Sequence, residues 1–310
     1  MAGVRIETIP EQLAGQRIDN YLLRVHKGVP KTRIYRILRR GEVRVNGGRV
    51  RPTTRLSAGD RVRIPPVREA TGGEAMKPSA QIMRRLEAAI IHEDERILVV
   101  DKPSGLAVHG GSGIAYGVVE ALRLMRPQAR FLDLAHRLDR ETSGCLVLAK
   151  RRSSLRALHA EFREGRVDKR YLALVHGRFS DGIRRVEAPL RPESGKGGER
   201  LMRVHPEGLS ARTDFRCLRS YGSWSLVEAI LHTGRMHQIR AHAASIGHPV
   251  AMDRRYGSHA ADREIRPLGL RRLFLHAASL GFEAPHGGRM EVAAPLPDEL
   301  AGVLERLADD

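Results

Sequence analysis

The residues of this sequence that are best suited to chemistry lie in one polar segment, residues 133–144, directly before the apolar run Cys145–Ala149. Asp139 stands there between Arg137 and Arg140. Polar groups on a loop beside a rigid core strand are a common arrangement in catalytic sites. A carboxylate that an arginine keeps ionised in a sheltered cleft could act as a nucleophile or as a base. A solvent-exposed ion pair is the simpler structural interpretation of the same residues.

Two further regions could complete a site around this carboxylate. Tyr171 begins an alternating segment that predicts a β-strand, where an aromatic side chain usually packs in the core or at its edge. The segment Thr233–Gly247 predicts a helix that begins at a Thr233 cap and ends at its glycine. Its apolar face would consist of Met236, Ile239, Ala243 and Ile246. Arg240 lies at the edge of that face, where a cation can reach the rim of a core.

The sequence offers no pattern for a metal or an organic cofactor. Cys145 and Cys217 lie far apart and form no zinc or disulfide motif. His237 and His242 have a poor spacing for shared metal ligation on one helix face, so we interpret both as polar helix residues facing RNA. The glycine-rich run Gly111–Gly117 fits neither the dinucleotide nor the phosphate-loop template. We therefore expect neither a metal nor a cofactor.

The charge of the chain predicts an anionic partner. Its net charge is +18, from 54 Lys and Arg against 36 Asp and Glu. Nucleic acid fits this excess better than a membrane surface, because no long basic amphipathic helix stands apart from the fold. No apolar run approaches the ~20 residues that span a bilayer, and residues 1–12 lack the apolar core of a secretory signal. We expect a cytoplasmic protein without a membrane segment.

The basic residues are concentrated at the N-terminus and indicate two domains. The first 80 residues hold 17 Lys and Arg against 7 Asp and Glu. Residues 65–82, rich in proline, glycine and small polar residues, predict a linker. We expect a small RNA-binding domain over residues 14–75 and a larger domain over residues 83–310.

The smaller domain has the pattern of a compact α+β module. Helical spacing over Gln16–Val25 and again from Thr32 to Gly41 predicts two helices. An Asn46-Gly47 turn within Glu42–Val50 predicts a hairpin, and Asp60–Ile64 predicts a further strand. A cationic surface suited to RNA phosphates would consist of Lys31, Arg33, Arg36, Arg39 and Arg40 on the second helix and Arg44 in the hairpin.

This N-terminal pattern resembles the S4 RNA-binding domain, an α-L-like module. The residues that carry the resemblance are QRIDNYLLR, VPKTRIYRILRRGEVRVNGGRV and LSAGDRVRI, within Gln16–Ile64. The resemblance implies binding of structured RNA through the basic face.

The larger domain resembles the RluA-type pseudouridine synthases. His136–Gly144, HRLDRETSG, looks like the family signature H-R-L-D-x-x-[ST]-S-G. Three further segments follow the family in order: KPSGLAVH from Lys102, KRYLALV from Lys169 and TGRMHQIRAH from Thr233. With the S4 module in front, the chain resembles the RluC-type members, which act on bacterial 23S ribosomal RNA.

The resemblance implies a fold, a reaction and roles for individual residues. The fold would be α+β, with a mixed, mostly antiparallel sheet and a central cleft. The reaction would convert specific uridines to pseudouridine without a cofactor. Separately, we expect a monomer that needs no obligate protein partner. Asp139 would be the catalytic residue, Tyr171 would stack on the uracil and Arg240 would pair with the aspartate. RNA contacts in this domain are expected from Arg137, Arg140 and His237.

Three alternatives stay open at the level of sequence. Asp139 could attack C1′ or remove a ribose proton. The same S4 module could serve a non-catalytic RNA-binding or ribosome-assembly protein, although the set of Asp139, Tyr171 and Arg240 argues against that. The same chemistry could also act on transfer RNA, although the S4 module favours ribosomal RNA.

Overall fold

The computed structural model describes residues 3–26, 29, 31–67, 78–111, 114–195 and 199–309, with the backbone alone for Gln12, Lys31 and Thr32. Part of the expected linker, residues 68–77, lies outside the described residues. The chain divides into two compact units. The first comprises Met1–Lys77 with Gly111–Ala115, and the second comprises Pro78–Gly110 with Tyr116–Asp310.

The first unit is an α+β module of α-helices and one antiparallel sheet. The helices are α1 (Ile18–Val25) and α2 (Lys31–Arg39). The strands are β1 (Arg5–Thr8), β2 (Arg44–Val45), β3 (Gly48–Arg49) and β4 (Arg61–Ile64), in the order β1-β4-β2-β3. Asn46 and Gly47 make the predicted hairpin turn, with φ angles of 50° and 81° in the left-handed region that these residues tolerate best. The helical spacing predicts buried stripes of Ile18, Leu22 and Val25 on α1 and of Ile34, Ile37 and Leu38 on α2. All of these residues are buried except Val25, which is half-buried.

The second unit is organised around a large mixed sheet. Its strands are β5 (Ile90–Glu93), β6 (Ile97–Lys102), β7 (Asp133–Leu134), β8 (Ser143–Ala149), β9 (Asp168–His176), β10 (Ile183–Glu187), β13 (Arg212–Tyr221), β14 (Trp224–Leu231), β15 (Leu275–Glu283) and β16 (Arg289–Ala293). The order is β10-β13-β14-β9-β15-β8-β6-β5, with β16 beside β15 and β7 beside β8. Among the described strand pairs, only β8 and β15 run parallel. The expectation of a mixed, mostly antiparallel sheet is confirmed.

Further α-helices and a separate hairpin complete this unit. The helices are α3 (Ala80–Ala88), α4 (Val118–Met125), α5 (Arg152–Arg163), α6 (Gln238–Ser245), α7 (His259–Ile265) and α8 (Asp298–Asp309). The hairpin consists of β11 (Leu190–Ser194) and β12 (Arg200–Val204).

Strand β8 lies between two hydrophobic clusters, and this position makes it a rigid support for the loop that precedes it. All seven of its residues are buried. Leu146 and Leu148 pack in one cluster, whereas Cys145 and Val147 pack in the other. A strand buried on both faces needs a continuous apolar run rather than an alternating one, which explains its composition. The loop of residues 133–142 is therefore joined at its end to a strand whose position is fixed by the core.

Helix α6 is shorter than its apolar spacing predicts. It begins at Gln238, with His237 at the N-cap in a left-handed conformation, so the prediction of a Thr233 cap is wrong. The loop before the helix instead wraps around one side-chain oxygen, Gln238 Oε1, which accepts from the Thr233 hydroxyl at 2.7 Å and from the Arg235 amide at 3.0 Å. Gly247 follows the helix with a φ of 84°, as the spacing predicts.

We predict that Gly144→Ala strongly destabilises the second unit. Gly144 has a φ of 111°, and a Cβ there would lie 2.2 Å from the Ala277 carbonyl oxygen. Overpacking and backbone strain together should lower the free energy of unfolding by about 2–5 kcal/mol. Urea unfolding followed by the fluorescence of Trp224, the single tryptophan, measures this change in the second unit.

The matched control is Gly182→Ala. Gly182 has a φ of 90°, but a Cβ added there would have no heavy atom within 4 Å, so only backbone strain of about 1–2 kcal/mol is expected. Equal losses in the two variants would contradict the steric argument.

Candidate active site

A cavity of about 530 Å³ in the second unit brings the predicted catalytic residues together. Its wall is formed by the loop before β8, by β9 and by the segment that connects β14 to α6. Asp139, Tyr171 and Arg240 all line it, from three separate parts of the chain. The sequence interpretation that made Asp139 a solvent-exposed ion pair is wrong, because the carboxylate faces this cavity with 22% of its side chain exposed.

Asp139 pairs with an arginine far away in sequence rather than with its neighbours. Arg240 Nη1 donates to Asp139 Oδ2 at 3.3 Å. Arg140 Nε donates instead to the Gly105 carbonyl at 2.8 Å, and Arg137 is exposed. The carboxylate therefore has a cation on one side and leaves its remaining lone pairs open to the cavity.

Arg240 is itself held by a second carboxylate, Asp253. Its Nε donates to Asp253 Oδ2 at 2.7 Å and its Nη2 to Asp253 Oδ1 at 2.8 Å, a two-pronged contact. The guanidinium also lies 5.1 Å from the centre of the Tyr256 ring. Burial lowers the pKa of Arg240, but its pairing with Asp253 and then Asp139 outweighs burial and raises the pKa above its usual value. Arg240 thus stays charged between two carboxylates.

Sequence reasoning missed Asp253. The Asp253 side chain is fully buried, and its Oδ1 also accepts from the backbone amides of Arg255 at 2.9 Å and Tyr256 at 3.1 Å. The one available signal is Gly257, where a Cβ would meet the Asp253 carbonyl oxygen at 2.3 Å. The Gly257 amide closes the turn by donating to the Asp253 carbonyl at 2.8 Å, but nothing in the spacing connects that turn to Arg240.

Tyr171 presents its ring to the cavity from the middle of β9. Only 7% of the residue is exposed. Burial raises the pKa of its hydroxyl, and the Asp139 carboxylate adds to the shift. The phenol is therefore neutral at physiological pH and is available as a hydrogen-bond donor.

His237 lies beside the same carboxylate. Its Nε2 is 3.7 Å from Asp139 Oδ2, and its Nδ1 is 2.9 Å from the Tyr256 hydroxyl. Burial lowers the pKa of His237 below its ordinary value, and the Asp139 carboxylate opposes the shift. The ring is thus nearly enclosed in the cavity rather than displayed on a helix face.

Two side chains hold the loop that carries Asp139, and sequence reasoning gave neither of them a role. His136 Nε2 accepts from the Val147 amide at 3.0 Å, and burial lowers the pKa of His136 to about 3, so the ring is neutral. Lys102 Nζ donates to three carbonyls: Pro103 at 2.8 Å, Leu106 at 2.9 Å and Arg140 at 3.1 Å. Burial lowers the pKa of Lys102 to about 7. The lysine thereby ties residues 103–106 to the backbone next to Asp139.

The residues expected to contact RNA lie in different environments. In the first unit Arg36, Arg39 and Arg40 are exposed, whereas Arg33 and Arg44 are half-buried, and the Lys31 side chain lies outside the described residues. In the second unit Arg140 is exposed, and Arg137 is an exposed residue that lines the cavity.

His242 does not face RNA, so that interpretation is wrong. The side chain is fully buried, with Nδ1 2.9 Å from the Thr213 hydroxyl and Nε2 2.9 Å from the Ala188 carbonyl. In the part of the chain that the structure describes, no cluster of three or more His, Cys, Asp or Glu side chains could hold a metal ion. None of the described helices is both long enough and apolar enough to cross a bilayer.

Comparison with known proteins places both units in known families. The family model described as RNA pseudouridylate synthase matches residues 96–245, and the S4 domain model matches residues 16–62. The protein named ribosomal large subunit pseudouridine synthase C from Pasteurella multocida is 50% identical over 308 residues, covering 99% of this chain and 94% of the relative. Its namesake from Escherichia coli O157:H7 is 51% identical, covering 98% of this chain and 97% of the relative.

A solved structure shares much of this architecture. Human RNA pseudouridylate synthase domain containing 4 aligns with a TM-score of 0.60 and 27% sequence identity. The alignment covers 74% of this chain and 96% of the human chain.

We predict that Asp253 and Arg240 are strongly coupled in stability. Asp253→Asn removes the closer of the two carboxylates that pair with the buried guanidinium, which should lower the free energy of unfolding by about 3–5 kcal/mol. Arg240→Met orphans the carboxylate in the same way. The double variant removes both charges and should lose less than the sum of the two single losses. Urea unfolding of the four proteins measures the coupling, and losses that add to within about 0.5 kcal/mol would contradict it.

Proposed function

The chain belongs to the RNA pseudouridylate synthase family, and we propose that it converts specific uridines of bacterial 23S ribosomal RNA to pseudouridine, with Asp139 as the catalytic residue. The observation that carries the proposal is the cavity that one carboxylate, its buried arginine partner and a tyrosine line together. The names of the bacterial relatives support the large-subunit RNA as the substrate. A cytoplasmic location follows from that substrate.

The reaction needs few groups, and the cavity supplies candidates for each. The uridine N1–C1′ bond breaks, the base turns, a C5–C1′ bond forms, and the proton on C5 is replaced by one on N1. Atoms and electrons balance without an oxidant or a reductant. A target base inside structured RNA must first leave its stack, which requires an enclosed pocket and a face to stack on.

Asp139 is the group that acts on the ribose in this proposal. Its free lone pairs face the cavity, and its carboxylate would attack C1′ or remove a ribose proton. Arg240 holds that carboxylate in one orientation through Nη1, because Asp253 occupies the other edge of the guanidinium. Arg240 and Asp253 therefore act as positioning residues.

Tyr171 supplies the stacking face and a neutral hydroxyl. Its ring lines the cavity from strand β9, so a flipped uracil can lie against it. Because burial raises the pKa of this hydroxyl, the group stays protonated and can donate a hydrogen bond without carrying a charge beside Asp139.

The division of the chain into two compact units supports separate roles for them. We propose that residues 14–75 form the S4 domain and bind RNA through the exposed arginines of α2, and that residues 83–310 form the catalytic domain. The match of the S4 model to residues 16–62 and the compactness of the first unit support this division.

We predict that Asp139→Asn abolishes isomerisation while RNA binding survives. The amide keeps the size of the carboxylate but can neither attack C1′ nor accept a ribose proton, so turnover should fall at least ~10³-fold. Release of tritium from 23S RNA that carries 5-³H-uridine measures turnover, and filter binding measures affinity. Asp181→Asn, at an exposed loop position, is the control and should keep full activity. Appreciable turnover by Asp139→Asn would remove this residue from the mechanism.

We predict that Tyr171→Phe keeps RNA affinity and loses turnover. The ring that stacks on the uracil remains, but the hydroxyl is lost, and a proton-transfer role would cost on the order of 10²-fold. The tritium assay at saturating RNA separates turnover from affinity. Tyr221→Phe, on β13 beside Arg219, is the matched control. Equal activity of Tyr171→Phe and the unmodified protein would leave the tyrosine with stacking alone.

A further inference from the structure

A further cation, Lys169, lines the cavity and has no part in the machinery described above. It lies on β9 two residues before Tyr171, and alternate residues of a strand face the same side. Both side chains consequently face the cavity. Only 6% of Lys169 is exposed.

Lys169 differs from the other buried charges of this unit because it has no direct partner among the described residues. Across residues 78–111, 114–195 and 199–309, no ion pair or hydrogen bond engages its ammonium group. The adjacent Asp168 is on the opposite face of the strand, 67% exposed, and pairs with Arg289. Asp139, the carboxylate of the cavity, already pairs with Arg240. Lys102, which is also buried, has three carbonyl partners.

The ammonium of Lys169 reaches the open space of the cavity rather than the closed core, but so little of the residue is exposed that its hydration is incomplete. Lysine is almost never fully buried unless it is paired, because desolvation penalises the charged form. Burial accordingly lowers the pKa of Lys169, and the neighbouring Asp168 opposes the shift only in part. A cation that is kept in a cavity at such a cost points to an anion that enters with the ligand.

We propose that Lys169 binds a backbone phosphate of the RNA strand, immediately next to the uridine that enters the cavity. The inference rests on the proposed function, because a flipped nucleotide brings a phosphate on each side of its ribose into the pocket. A base that stacks on Tyr171 has its own phosphate one sugar away, and Lys169 lies one strand repeat, about 6.5–7 Å, from Tyr171. Lys169 is thus a binding residue for the substrate backbone.

The first test compares the salt dependence of RNA binding in the full chain. Lys169→Met should weaken binding of a 23S-derived hairpin on the order of 10- to 100-fold at low salt, the range for a charge-assisted contact. The slope of log affinity against log salt should fall by about 0.7–0.9, the value for one phosphate. Lys169→Arg should keep the slope. Lys150→Met is the matched control, because Glu93 already neutralises Lys150 at 2.8 Å, and it should leave the slope unchanged.

Thermal unfolding of the same variants separates binding from a structural role. Removal of an unpaired buried charge should leave the melting temperature of Lys169→Met equal to or above that of the unmodified protein. A lower melting temperature with an unchanged salt slope would overturn the proposal. An unchanged slope with weaker binding would also overturn it, since that result indicates a neutral acceptor such as a uracil carbonyl. Lys169→Gln gives the same comparison if the Met variant does not fold.

The second test identifies the phosphate. Hairpins that carry a neutral methylphosphonate on the 5′ or the 3′ side of the target uridine are bound to the unmodified protein and to Lys169→Met. At one of the two positions, the substitution should weaken binding only when Lys169 is present. Additive losses at both positions would overturn the proposal. Tritium release from the unsubstituted hairpin by the unmodified protein is the control, since its absence would refute the proposed function rather than the phosphate contact.

Discussion

The site depends on one buried guanidinium that serves two carboxylates. The cost of removing the charge of Arg240 from water is offset by the carboxylates that pair with it. Asp253 takes one edge in a two-pronged contact, which fixes the plane of the guanidinium and leaves Nη1 for Asp139. A lysine could not divide its donors between two fixed directions in this way. The orientation of the carboxylate that faces the cavity therefore follows from a contact on the far side of the arginine.

The loop that carries Asp139 is rigid because its ends are part of the core. On one side it runs into β8, which two hydrophobic clusters enclose. On the other, His136 is fixed by the amide of Val147, and Lys102 ties the Arg140 carbonyl to a neighbouring loop. These contacts are already formed without a substrate, so the loop needs no rearrangement to hold the carboxylate in place. A preorganised carboxylate of this kind is the arrangement that catalysis by few groups requires.

Short-range patterns could be predicted from the sequence, and contacts across the chain could not. The hairpin at Asn46-Gly47 and the end of α6 at Gly247 follow from backbone preferences of single residues, so they were predictable. The start of α6 was not, because the oxygen of Gln238 competes with helical hydrogen bonds for the preceding loop. The resemblance to a family indicated Asp139, Tyr171 and Arg240, but periodicity alone did not. Asp253 and Lys169 remained hidden, since their meaning depends on what lies beside them in space.

The parallel pairing of β8 with β15 has a consequence for how the protein folds during its synthesis on the ribosome. Ser143, at the start of β8, bonds to His276 of β15 across 133 positions of sequence. Until β15 has left the exit tunnel, β8, which supports the Asp139 loop, lacks one neighbouring strand. The sheet beside Arg240 and Asp253 is then incomplete. Long-range pairings of this type also slow folding, because a large loop must close first. The nascent chain therefore has its first, RNA-binding unit long before it has an active site, and it gains catalytic competence only after β15 has been synthesised.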